Sequence, residues 1–155
     1  MAAAEFESVK DMKKTDLDMI SEYISENHVI SFCCFAEDDI WAANSFYIFN
    51  KDDVCFYLMS DPDTRHGRLA IANPVVAGTI NEQPSNILSI KGLQYKGVMA
   101  LLADGVERQL AYQTYTQRFP VAKIKSLPLW KIEIQEMKFT NNSLGFGKKI
   151  SWERP

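Results

Sequence analysis

"VISFCCFAEDDIWAANSFYIFNKDDVCFYLMS", Val29 to Ser60, decides the fold. Its three apolar runs, "VISFCCF", "IWAANSFYIF" and "VCFYLMS", are rich in β-branched and aromatic residues, and the short polar turns "AEDD" and "NKDD" separate them. That pattern predicts three antiparallel strands in a meander. Downstream, "VVAGTIN" reads as a fourth strand and "SIKGLQYKGVMALL" as a long fifth, in which Gly92 and Gly97 suggest bends or bulges. In "LWKIEIQEMKFT" Trp130, Ile132 and Ile134 share one phase and Met137 and Phe139 the other, so a sixth strand with a bulge near Gln135 and Glu136 is expected.

Helices punctuate these strands. "TDLDMISEYISE", residues 15–26, places Leu17, Ile20 and Ile24 at helical spacing behind Thr15, a capping residue with Asp18 three positions on. Asp104 is the expected cap of a second helix beginning at Gly105, with Glu107 at the capping-box position and "VERQLAYQTYTQRF" ending at Pro120. The fold class expected is mainly β, a six-stranded antiparallel split or closed β-barrel with flanking helices. Residues 1–14 read as a flexible amino-terminal segment and residues 15–155 as a single domain.

With 155 residues, 46% hydrophobic and 24% charged, the chain has an ordinary globular composition. A net charge of −3 disfavours general nucleic-acid binding, which relies on a basic footprint. No signal peptide and no apolar run of about 20 residues is evident, so neither export nor a membrane span is expected and a cytoplasmic location is. Cys33, Cys34 and Cys55 lie in strand-like runs and read as buried reduced thiols; with two histidines and no paired spacing, no metal site is expected.

A six-stranded barrel encloses only packed side chains, so a ligand must sit outside it, and a deep cleft forms most easily between two subunits. Four stretches offer polar groups. In "SDPDTRHGRLAIANP", Ser60 to Pro74, Thr64 caps a short helix from about Arg65 to Ala72 that Asn73-Pro74 ends. Free amides, the helix dipole, the Thr64 hydroxyl and Arg65 suit a dianionic phosphate; an exposed turn whose arginines pair with Asp61 and Asp63 explains the same residues. In "KGLQYKG", Gln94 supplies a donor and an acceptor for a flavin-like or pyrimidine-like ring edge, or is one polar residue on a wet strand face. Asn44 and Ser45 in "WAANSFY" are polar residues within an apolar strand, contacting either a ligand or a neighbouring strand. "GFGKK" lacks the spacing and context of a nucleotide phosphate loop, and "NNSLGFGKKISWERP" reads instead as a glycine-hinged basic tail able to lie across a partner subunit.

Taken in order, "NSFYIF", "VCFYLMSDPDTRHGRLAIANPVVAGTIN", "IKGLQYKG", "RFPVAK" and "MKFTNNSLGFGKKISW" closely resemble the YhbP-type branch of the pyridoxamine 5'-phosphate oxidase-like, FMN-binding split-barrel superfamily, from residue 15 onward. The resemblance implies a homodimer with FMN in two clefts at the subunit interface. It assigns the FMN phosphate to Thr64, Arg65 and His66, with Arg68 nearby, and the flavin ring to Gln94 of the other subunit. It further places Asn44, Ser45 and Phe46 along the ring and Lys149 and Trp152 in an element that closes the site. His66 stands where many relatives carry lysine, and the basic residues by which the oxidase holds pyridoxal phosphate are not matched. The expectation is therefore an FMN-dependent oxidoreductase acting on a small substrate other than a B6 vitamer, or a non-catalytic flavin or haem binder.

Overall fold

In the computed structural model, which describes residues 13–155, the meander opens with a two-residue hairpin. Strands β1 (Val29–Ala36) and β2 (Asp39–Phe46) are joined by Glu37 and Asp38, both at positive φ, 53° and 59°. Such a turn matches the right-handed twist of the strands it joins. The expected strand over residues 40–49 is broken at Tyr47, after which it resumes as β3 (Ile48–Asn50). The Tyr47 N–H still donates to the His28 carbonyl in register with β1, but its own carbonyl accepts from Arg118 and its side chain is buried in the core. The remaining strands are β4 (Cys55–Met59), β5 (Val75–Asn81), β6 (Lys91–Leu101), β7 (Leu129–Asn141) and β8 (Lys149–Glu153).

The strand order is β2-β1-β5-β6-β7-β4-β3, with β8 pairing β7 and every pairing antiparallel. Since β2 and β3 are halves of one run, the order returns to its starting point and the sheet curls into a split barrel. Counting that run once, six strands form the barrel and β8 is added to its side. β8 corrects the expected hinged tail: Lys149–Glu153 pairs with this chain's own β7. The bulge falls where the phase slips, since Lys96 pairs with Glu136 and Gly97 with Ile134, leaving Gln135 without a partner. Gly97 permits the close approach there, because a Cβ would lie 2.7 Å from the Ile132 side chain and 2.8 Å from the Glu133 carbonyl.

Three helices flank the sheet: α1 (Asp16–Glu26), α2 (Arg65–Ala72) and α3 (Val106–Arg118). Thr15 and Asp18 form the expected capping box of α1. Asp104 does not cap α3; Gly105 occupies the cap position without a side-chain bond, and Asp104 pairs with Arg108 instead. Glu107 is drawn away from the capping-box role by partners on β4 and β7. Inside the barrel Phe32, Phe56, Tyr95, Met99, Trp130 and Ile132 are fully or almost fully buried, and Ile20, Tyr23 and Ile24 of α1 join the same core. Side chains pack this interior, and each buried Ile or Phe is worth about 1.5–3 kcal/mol of transfer free energy. Cys34 and Cys55 are buried, Cys33 is half-buried and all three are free thiols. The expected flexible segment, residues 1–14, lies outside the described residues except for its last two. No helix among the described residues is long and apolar enough to cross a membrane.

Candidate functional site

The amino end of α2 is built by local rules. Thr64 Oγ1 accepts from the Gly67 N–H at 3.1 Å and donates to the Asp61 carbonyl at 2.7 Å, which fixes the first turn. Gly67 packs directly on the preceding loop, where a Cβ would fall 2.6 Å from the Pro62 carbonyl oxygen. Leu69 and Ala70 anchor the far side of the helix in the barrel core. The Arg65 and His66 N–H groups have no acceptor among the described residues, so two amides are presented at the positive end of the helix.

The side chains on this turn are engaged in different ways. His66 Nε2 lies 2.7 Å from Ser60 Oγ, and its ring meets Phe32 edge-on at 5.3 Å; burial pushes its pKa below the usual imidazole value. The Ser60 carbonyl accepts from Trp130 Nε1, while Ser45 Oγ donates to the Phe46 and Met59 carbonyls at 3.0 and 3.4 Å. Ser45 and His66 thus reach the same seam, where β2 faces the end of β4. Arg65 departs from the reading in which it pairs with Asp61 and Asp63. Its guanidinium makes two bonds to the Asp39 carboxylate, at 2.9 and 2.5 Å, and lies 4.0 Å over the Trp41 ring. The Arg65 bond holds Asp39 below the usual carboxylate range. Asp61 and Asp63 are not its partners, and the Asp61 carboxylate instead accepts from the Asp63 N–H. Arg68 is exposed and forms no ion pair among the described residues.

Gln94 belongs to another surface. Register places Asn44, Ser31, Thr79, Gln94, Lys138 and Ser151 in one row across β2, β1, β5, β6, β7 and β8, on the face turned away from the core. The adjacent row runs through Asn81, Gly92, Thr140 and Lys149. A cavity of about 510 Å³ opens over these rows, lined by Thr79, Gln94, Lys138, Thr140 and Lys149 among others. Beside it a depression of about 400 Å³ is lined by His28, Ser31 and Asn44. Phe46, in the phase of Asn44, stacks on His28 with ring centroids 6.1 Å apart. Trp152 faces the other way, opposite Met137, and packs on the barrel core. Thus the structure brings Asn44, Phe46, Gln94 and Lys149 to the outer face and Ser45, Thr64, Arg65 and His66 to the seam, and it separates Lys149 from Trp152.

One cluster has no counterpart in the sequence reading. A cavity of about 770 Å³ lies between α3 and strands β3, β4 and β7. In it Glu107 Oε1 accepts from Tyr57 Oη at 2.8 Å and from Lys131 Nζ at 2.6 Å. Lys131 and then Tyr57 hold the Glu107 carboxyl down, while burial pushes the Tyr57 phenol far up. These residues are 24 and 50 positions apart, so no local spacing signals the group. Among the described residues no group of three His, Cys, Asp or Glu side chains is placed to hold a metal ion.

The chain is similar to a UPF0306 protein from Klebsiella pneumoniae, with 44% identity over 138 residues covering 89% of this chain and 93% of that protein. It is 42% identical to the UPF0306 protein YhbP from Escherichia coli over 138 residues, 89% of this chain and 98% of that one. No protein-family model matches. Among solved structures, a haem-binding protein from Mycobacterium smegmatis superposes with a TM-score of 0.76 at 17% identity, covering 92% of this chain, which spans 59% of that chain. A FAD-binding protein from Mesorhizobium loti gives 0.64 at 16% identity, covering 77% of this chain and 89% of that one. A putative pyridoxamine 5'-phosphate oxidase from Listeria innocua gives 0.63 at 15% identity, covering 78% and 94%. At such identities these structures establish a shared fold, the split barrel.

Proposed function

The chain belongs to the UPF0306 family that includes YhbP, and from that premise we propose that it is an FMN-dependent oxidoreductase, a homodimer holding flavin at its subunit interface. The observation that carries the reading is the division of its polar groups between two surfaces. The seam offers the Arg65 and His66 amides and the outer face offers Gln94. One curled sheet cannot turn both toward the same ligand, so a complete site takes the seam of one copy and the outer face of another. An apolar surface suited to such contact is present: Phe35 and Ile40, 50% and 61% exposed, lie opposite each other, as do Val75 and Val98.

The residues at the seam fit a phosphate. Two free amides, the helix dipole and Arg68 attract a dianion, and Arg65 joins them by exchanging Asp39 for phosphate oxygens. Ser45 and Asn44 face opposite sides of β2, so Ser45 serves the seam and Asn44 the face that carries Gln94. Gln94 would donate to and accept from the edge of the flavin ring. Bound flavin would supply the hydride or electron chemistry, and the protein would orient it and exclude water. The FAD-binding and oxidase-like fold neighbours support this choice of cofactor. The decisive measurement is the absorption spectrum and mass of what copurifies, with bleaching by a nicotinamide donor as the sign of turnover. Arg65→Ala is expected to weaken FMN binding roughly tenfold or more; unchanged affinity removes Arg65 from the site.

A second reading is haem binding without turnover. It is favoured by His28, an exposed imidazole stacked on Phe46 at the edge of the outer-face depression, where it could serve as an iron ligand. The haem-binding fold neighbour supports it. A Soret band lost in His28→Ala selects this reading, and flavin bands that survive the substitution reject it.

A further inference from the structure

The cavity beside Gln94 is cationic in a chain whose net charge is −3. Lys91, Lys138 and Lys149 line it against one carboxylate, Glu82, and none of the three lysines forms an ion pair among the described residues. Lys138 stands directly across from Gln94, and Lys149 stands across from Thr140, one row along. The two lysines are diagonal neighbours on one face, an arrangement in which like charges repel. A bound anion turns that repulsion into attraction. The rest of the lining is suited to an apolar body: the walls are mostly apolar, Ile90 is exposed at the rim and Gly92 leaves the floor without a side chain. Thr79, Thr140 and Gln94 add neutral hydrogen-bonding groups around the lysines.

We infer that this cavity binds a small organic anion, with an apolar body over Gly92 and a carboxylate or phosphate head held by Lys138 and Lys149. Because Gln94 borders it, the anion lies next to the flavin ring and is the substrate. That assignment of role rests on the flavin reading, whereas the anion site exists in one chain.

The test titrates the full-length protein with benzoate, phenyl phosphate and neutral benzamide at constant ionic strength. Nitrogen-15 NMR follows the Gln94 side-chain amide and the Gly92 and Thr140 backbone amides. Benzoate, phenyl phosphate or both are expected to shift these signals, with the stronger of the two identifying the head group, and benzamide is not. Lys138→Gln, which keeps a polar side chain one atom shorter and removes its charge, should weaken binding roughly tenfold. Lys96→Gln, on the same face outside the cavity and directly across from Glu136, should change it less than about twofold. Equal response to benzamide, an unaltered Lys138→Gln or an equal loss in Lys96→Gln overturns the inference. Bound FMN is measured on the same preparations. Flavin without an anion response removes the anion site alone, and an anion response without flavin removes the flavin reading alone.

Discussion

The amino end of α2 and the outer face around Gln94 both concentrate cations, yet they use them differently. On α2 two of the three basic side chains are already engaged, since Arg65 is clamped to Asp39 over Trp41 and His66 is half-buried against Ser60 and Phe32, which leaves Arg68 unpaired among the described residues. Besides Arg68, what that turn presents is backbone, the amides of Arg65 and His66. On the outer face the backbone is paired in the sheet, and the side chains Lys138 and Lys149 carry charge that is unpaired among the described residues. A dense run of basic residues in sequence is therefore a poor guide to available charge, and two lysines far apart in sequence are a better one once register aligns them.

If packing sets the α2 turn, its largest weakness is Gly67. Gly67→Ala puts a Cβ against the Pro62 and Asp61 carbonyls and is expected to cost about 2–3 kcal/mol in urea unfolding. A midpoint equal to wild type would mean that the turn is not held by packing, and the contrast with the outer face would collapse. Thr64→Ala removes the cap and should cost about 1–2 kcal/mol, with Thr64→Ser restoring most of it. A smaller and sharper probe is acid. Burial lowers the folded-state pKa of His66 below its ordinary 6.5, so below that pH the unfolded chain binds more protons than the folded one. Stability contributed by neutral His66 is thus complete above about pH 6.5 and is lost as pH falls through the folded pKa. Calorimetry from pH 7 to pH 5 should show this slope, and His66→Gln should flatten it; an identical slope in the variant would place His66 in solvent.

Much of the fold was legible because it is written locally. Alternation located six strands, the phase slip at Gln135 located the bulge, and Thr15 and Thr64 announced their helices. The misreadings share a cause. Asp104 has the type and position of a cap, but Arg108 one turn on takes its carboxylate. Glu107 matched a capping box and was claimed by Tyr57 and Lys131 from across the domain. Residues 149–153 carry too weak a pattern to read as a strand and become one because β7 offers a free edge. At the candidate site, the Thr64 cap and the outward phase of Gln94 followed from spacing, whereas the Asp39 partner of Arg65 did not.

By itself the sequence determined six strand positions and the starts of α1 and α2, because periodicity and capping act over a few residues. Only the tertiary structure decided which of those residues share a surface, since that depends on pairings between strands dozens of residues apart. β2 and β3, consecutive in the chain, stand at the two ends of the strand order, so the sheet curls, and curling sets the seam and Gln94 on opposite faces. That separation, absent from any local pattern, is the physical reason a complete flavin site would need a second copy.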